Sequence, residues 1–393
     1  MKKEKENSTK KRFQLGSVLT MSFAHFLHDT YSSFLAPILP MLIEKFGMNY
    51  TLAGLLTVFQ RIPSLINPFV GLIADKKSVR YFVTLTPAIT AIAMSLLGAA
   101  PNYIILAILL LVMGVSSAIF HVPSPVIIKK VSGYRVGKGM SFYMLGGEIA
   151  RTIGPLIIIG AVSLWGLEGT YKLIPFGLVG SLILYLKVQK INISKNDNTN
   201  IEIVGIKQTF KNHLNFFLVI AGILFTSSVL KSGLTSFIPT YFVHVKHESS
   251  WIAAGALSLL QFAGMLGAFL SGTLSDRLGR TKTLLFIYIF TPIAMWLFIT
   301  FDGIFQIPLL LILGFFSIAS GPVILALVQE TNSERPAFIN GIYMTINFIV
   351  SSLTVFLFGF FSDWMGLENA FKLSAVISIL AIPLTFALKK VRK

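Results

Sequence analysis

The chain states one pattern twice, about 200 residues apart, and both statements lie among apolar runs long enough to cross a lipid bilayer. Gly166-Leu167-Glu168 with Lys172-Leu173 returns as Gly366-Leu367-Glu368 with Lys372-Leu373. Ala53-Gly54, Gln60, Gly71 and Asp75 return as Ala254-Gly255, Gln261, Gly272 and Asp276. A repeat in the same order and orientation predicts two matched helical bundles, related by an axis along the membrane normal, with a cleft between them.

A residue content that is 54% hydrophobic and 12% charged leaves too little charge to clothe a water-soluble surface. Twelve apolar stretches of roughly 20 residues or more could each span about 30 Å of hydrocarbon as a helix. They occupy 16–42, 51–74, 81–99, 102–128, 139–164, 168–187, 213–243, 249–274, 282–301, 304–328, 336–361 and 368–389. The fold class expected is therefore all-α integral membrane, with twelve transmembrane helices in two six-helix bundles. The one long polar interruption divides it into an N-terminal bundle over 1–189, a cytoplasmic linker over 190–212 and a C-terminal bundle over 213–393. Within the linker, Ile201 to Phe210 has the apolar spacing of a short interfacial helix, and an irregular tether fits equally well.

The net charge of +17 could point to nucleic acid, but its placement argues against that partner. Most Lys and Arg fall in the first tail, 76–80, 129–138, 187–211, 277–282, Arg335 and the last five residues, which are alternate loops. This is the positive-inside pattern of a multi-pass protein with both termini in the cytoplasm. The first apolar run is longer than a signal-peptide core and lacks a small-residue cleavage pattern, so it is expected to stay as the first helix. The absence of cysteine excludes disulfides and thiolate metal sites.

Gly272-Thr273-Leu274-Ser275-Asp276-Arg277-Leu278-Gly279-Arg280, followed by Thr281-Lys282, resembles the loop signature of the major facilitator superfamily between its eighth and ninth helices. Its glycines permit a tight reversal, its Asp can accept N–H bonds or pair with Arg, and its basic cluster holds the loop inside. The first-half copy, Gly71 through Asp75 to Arg80, lacks the second glycine. Both loops can be read as turns that fix topology or as gates that latch one conformation; the candidate gating residues are Gly71, Asp75, Gly272, Asp276, Arg277, Gly279 and Arg280.

Within that superfamily the chain resembles the fosmidomycin-resistance family of efflux proteins over most of its length. The likeness is carried by His28-Asp29-Thr30-Tyr31-Ser32-Ser33 with Pro37 and Pro40, and by Pro68 with Gly71 and Asp75. It continues in Ser116-Ser117 with Phe120-His121, in Met140-Ser141 through Gly146-Gly147 to Gly154-Pro155, and in Pro322 with Gln329-Glu330. Two departures matter: Val122-Pro123 stands where a family-like Pro-Glu is expected, and Glu148 where an Asn is expected. The first removes a protonatable acid and the second supplies one. The resemblance implies proton-coupled export of a small drug or metabolite, and the expected setting is a prokaryotic cytoplasmic membrane with no cofactor; a monomer is the simplest expectation, because one chain already contains both halves.

Ionisable groups inside the spans demand explanation, because each costs about 2.5–3.5 kcal/mol at the membrane midplane unless paired or wetted. His25, His28, Asp29 and Ser32 are spaced i, i+3, i+4 and i+7 and share a helix face. Glu148 and Arg151 share another, near the depth of Arg61 and His121. Asp29, Glu148 and His121 are the candidate proton carriers, since a carboxylate in a cleft that alternately wets and dries can load and release a proton. A permanent ion pair that only fixes helix packing is the plainer alternative. His25, His28, Arg61, Arg151, Lys231, Gln261 and Asn347 are the candidate substrate contacts, and the excess of basic over acidic groups points to an anionic substrate. No metal site is expected, because no metal-typical acid set joins the histidines.

No nucleotide-binding P-loop and no nucleophile constellation is evident, so the expected protein is not an enzyme and would draw on an ion gradient. Import of a small organic anion by a symporter or facilitator fits the same fold and charges. A receptor without transport is a more distant reading.

Overall fold

The computed structural model describes residues 13–67, 70, 80–133, 135–189, 191, 210–331 and 336–391. Pro68, Gly71, Asp75, Arg335 and most of the expected linker, including Ile201 to Gln208, lie outside the described residues. Among the described residues there is no strand.

The first rod consists of α1 (Leu15–Ser32) and α2 (Leu35–Phe46), so the expected continuous span over 16–42 is interrupted at Ser33 and Phe34. The hydroxyls of Ser32 and Ser33 donate to the carbonyls of Asp29 and Thr30, and Pro37 has no N–H to offer the carbonyl of Ser33. The second rod is α3 (Tyr50–Arg61), which tightens into a 3-10 turn over Ile62–Ile66 where Pro63 removes another backbone donor. α4 (Arg80–Ser95) is the third. The fourth is α5 (Tyr103–His121) continued by α6 (Ser124–Ser132) after a break at Val122 and Pro123. α7 (Val136–Trp165) and α8 (Ile174–Val188) complete the first half.

The second half holds α9 (Leu214–His244), α10 (Ser250–Leu278), α11 (Arg280–Thr300), α12 (Gln306–Gln329) and α13 (Pro336–Met365). α14 (Leu367–Ile379) and α15 (Ala381–Val391) share its last rod. Among the described residues nine helical segments are long and apolar enough to cross a membrane, and the first three rods bring the total to twelve.

The repeat is visible in three dimensions. Gly166 and Gly366 take φ of 73° and 81°, a region glycine enters without strain, and donate N–H bonds of 2.8 and 2.9 Å to the carbonyls of Val162 and Ser362. Asn49 and Ser249 cap α3 and α10 in the same way, accepting from the N–H of Leu52 and of Ile252.

Among the described residues the main helix pairs that join the halves are α3 with α13, α7 with α10, and α2 with α9. Side-chain hydrogen bonds tie the halves at the end where α2 gives way to α3 and α9 to α10. There Trp251 donates to the Ser163 hydroxyl at 3.0 Å, and Asp363 accepts from the N–H groups of Tyr50 and Thr51 at 2.7 and 2.8 Å. Gly359 lets the two backbones meet, since a Cβ there would strike the carbonyl oxygen of Tyr50.

Candidate functional site

α1 presents His25, His28 and Asp29 to the interior of the first half, where all three are almost wholly buried. α7 can lie close against this face because of Gly146 and Gly147. A Cβ at the first would strike the Ser22 carbonyl, and one at the second would strike the His25 ring. That approach delivers Glu148 and Arg151, one turn apart, to the carboxylate of Asp29.

Arg151 is the hub of the charged network. Its Nε and Nη2 lie 3.2 and 3.1 Å from Asp29 Oδ2, and its Nη1 lies 3.0 Å from Glu148 Oε1. Three imidazoles complete the surroundings of Asp29: His25 Nε2 at 3.3 Å, His28 Nδ1 at 3.0 Å and His121 Nε2 at 3.3 Å. His121 comes from the last turn of α5, just before the break at Pro123, and its ring meets those of His25 and His28 edge-on. His28 stacks on Phe120 and His25 on Tyr143, which fixes the plane of each ring.

One hydrogen bond sets the tautomer of His25. His25 Nδ1 lies 2.8 Å from the Tyr143 carbonyl, which can only accept, so Nδ1 carries a proton. Nε2 then faces Asp29 Oδ2 at 3.3 Å without a hydrogen bond.

The ligating atoms of His25, Asp29 and His121 lie within 4.8 Å of one another, a spacing that could hold a divalent ion. Asp29 therefore does join the histidines, contrary to the reasoning that spoke against a metal. Arg151 occupies the Asp29 oxygen such an ion would need, and its charge opposes a second cation at that place.

Beside this cluster a cavity of about 190 Å3 opens between the halves, lined by Gln60, Arg61 and Arg151 from one side and Thr235, Ser236 and Gln261 from the other. Arg151 belongs to both the cluster and the cavity wall. Arg61, from the last turn of α3, has no hydrogen-bond or ion-pair partner among the described residues. Lys231 has none either; it lies one turn before Thr235 on α9, where the charges of Glu148, Arg151 and Arg61 act on it. Arg61 and Arg151 thus line the cavity, Lys231 lies within reach of their charge, and the two acids of the neighbouring cluster are already engaged by Arg151.

Of the other residues expected at the site, His25 and His28 lie behind Asp29 and do not line the cavity, and Asn347 on α13 is not part of its wall. Gln60, which the repeat pairs with Gln261, joins the site as well, and both reach the same cavity. Gly272, Asp276 and Arg277 lie in the last two turns of α10, Gly279 at φ 91° makes the reversal, and Arg280 opens α11. Arg280 pairs there with Asp276 and with Glu330 Oε1 at 2.8 Å, contacts that stay within the second half.

Two six-helix bundles around a buried polar cavity define a multi-pass membrane transporter. The chain belongs to the Major Facilitator Superfamily, whose family model matches residues 21–355. It is similar to the fosmidomycin resistance protein of Escherichia coli, with 24% identity over 96% of this chain and 93% of that protein. It is also similar to the multidrug resistance protein MdtG of Proteus mirabilis, with 25% identity over 70% of this chain and 71% of that one. Among solved structures, a bacterial homolog of the human lysosomal transporter Spinster, in an inward-facing and unoccupied conformation, superposes with a TM-score of 0.80 at 15% identity, covering 97% of this chain and 98% of that one. The nucleoside transporter NupG superposes with a TM-score of 0.74 at 16% identity over 96% of this chain and 99% of that one. The family is one of transporters and not of enzymes.

Proposed function

We propose that the protein is a proton-coupled secondary transporter that exports a small anionic drug or metabolite from a prokaryotic cell, working as a monomer with both termini in the cytoplasm. The observation that carries this reading is the cavity between the halves, with Arg61 in its wall and Lys231 nearby, both without hydrogen-bond or ion-pair partners for their side chains among the described residues, beside the Asp29–Arg151–Glu148 network. Buried cations without counter-charge are costly in a membrane, so a bound anion would supply what the protein withholds. Gln60 and Gln261 would orient it from opposite halves, and the halves would rock about it. Relatives named for fosmidomycin and multidrug resistance support export. The expected division at residues 190–212 would supply the tether between the rocking halves.

One contact favours a second reading. An anion that draws Arg151 away from Asp29 removes a cation from the carboxylate, so anion and proton would favour each other's binding and travel together. That is the behaviour of a symporter that imports an organic anion. Export by exchange needs the two to exclude each other, which the shared position of Arg151 allows only through crowding.

Inverted vesicles carrying the protein, with fosmidomycin as probe, separate the two. Uptake driven by an acid interior supports exchange; uptake driven only by an acid exterior supports symport. Transport indifferent to the pH gradient would remove protons from either scheme. Replacement of Arg61 or Lys231 by Gln should weaken binding of the probe, read as a smaller ligand-induced rise in melting temperature.

A further inference from the structure

A second set of ionisable groups lies far from the central cluster, where α2 and α3 of the first half meet α9 of the second. His244, in the last turn of α9, has Nδ1 3.2 Å from the Tyr50 hydroxyl of α3. Its Nε2 is shut off from solvent without a hydrogen-bond partner and lies 3.8 Å from Glu44 Oε1, in the last turn of α2. Glu44 is itself 70% exposed while the imidazole is only 18% exposed. The contact therefore joins the two halves, with an open carboxylate on one side and a closed-in imidazole on the other.

A neutral imidazole cannot use both nitrogens well here. If Nδ1 accepts from Tyr50, Nε2 carries an N–H that falls just short of Glu44; if Nδ1 donates, Nε2 turns a bare lone pair toward a carboxylate. One added proton resolves both cases. Nδ1–H then donates to the Tyr50 oxygen, and Nε2–H donates to Glu44 after a closing movement of less than about 1 Å, forming a charge-assisted bond across the seam.

The other charged groups nearby are already committed. Lys45, beside Glu44, is held by Glu168 at 2.8 Å, and Lys246, two residues after His244, by Asp302. Asp363, on α13, accepts from the backbone of Tyr50 and Thr51. Glu44 is the charged group among the described residues whose field acts on His244.

We propose that His244, with Glu44 and Tyr50, is a second proton-binding site, placed at the outer seam between the halves, whose occupancy favours closure of that end. This rests on the proposed orientation, in which that end faces outward, and holds for exchange and symport alike. In both cycles the proton arrives from outside while the outer end is open, and the loaded carrier then turns inward. A proton that tightens the outer seam drives that same step.

The chain has no cysteine, so spin labels can be placed at will by Tyr171→Cys and Ile304→Cys, on the outer turns of the two halves. Asp363→Ala, which removes a tie across the same seam, serves as a background that populates the outer-open state. In lipid nanodiscs, acidification from about pH 8 to about pH 5.5 should lower the ratio of outer-open to outer-closed distances about threefold or more. His244→Gln or Glu44→Gln should each abolish that response, and the two together should abolish no more. Glu44→Gln alters an exposed side chain, so it tests the site even where His244→Gln folds poorly. A response that survives both substitutions, or its absence in the unsubstituted background, overturns the proposal. The distances are read without substrate or gradient, so a failure of proton coupling in the vesicle assay leaves this result standing by itself.

Discussion

The carboxylate of Asp363, on α13, accepts the N–H of Thr51 at 2.8 Å and that of Tyr50 at 2.7 Å, so one half of the protein caps the first turn of a helix in the other. The tie exists only while that end is shut. A helix cap contributes about 1 kcal/mol, and here that stabilisation belongs to one conformation instead of to folding as a whole. Asp363→Ala should accordingly raise the outer-open fraction about fivefold. The check is the rate at which an impermeant thiol reagent, added outside, modifies Thr57→Cys in the cavity wall; an unchanged rate would show that the cap does not hold the seam.

Close approach of α7 to α1 depends on Gly146. A methyl group there meets the Ser22 carbonyl, and relief requires one helix to move. Gly146→Ala is expected to cost about 1–3 kcal/mol and to lower the melting temperature in detergent. Gly255→Ala is the matched control, because its Cβ would enter open space, and it should leave stability unchanged or slightly higher.

Asp29 and Glu148 share one guanidinium, but only Asp29 is also ringed by imidazoles. Asp29→Asn should therefore remove the response of transport to a pH gradient, while the protein remains folded because Arg151 keeps Glu148. Glu148→Gln should retain the response, since Arg151 keeps Asp29. Vesicle uptake with and without a gradient reads both, and an undiminished gradient response in Asp29→Asn would take this residue out of the coupling step.

Lys246 lies outside the spans, on the turn between α9 and α10. Burial disfavours its charge, but the bonds it makes to Asp302 and Tyr241 outweigh this and hold its ammonium above the ordinary lysine range. A value raised in the folded state means that the contribution to stability is fully present below the unfolded value and fades as pH rises through the folded one. Asp302→Asn should thus erase a decline in melting temperature at strongly alkaline pH, and an identical alkaline profile in both proteins would count against the tie.

The rods and the central cluster were legible from sequence for a simple reason: both are local. A run of apolar residues announces a span by itself, and His25, His28 and Asp29 announce a shared face by spacing alone. The partners of Asp29 on α5 and α7 could be guessed because uncompensated charge in a membrane narrows the choice. The seam was hidden, since Asp363 and Thr51 are 312 positions apart and neither stands out in its own segment. Tyr50, Glu44 and His244 sit at span ends, where charge is ordinary and draws no notice. Gln60 could have been found, because the repeat equates it with Gln261. The break at Val122 is legible in Pro123 and Pro125, which loosen the helix there, whereas the span expected over 16–42 runs straight through the bend at Ser33.

The acid and imidazole groups of the central cluster all stand on α1, α5 and α7, whereas the second half offers the cavity Thr235, Ser236 and Gln261. Under the proposed function the central proton site would belong to the first half alone, while the wall that meets the cargo would be shared by both. Descendants of such a chain are free to acquire new cargo by drift along α9 and α10 while inheriting the same engine unchanged.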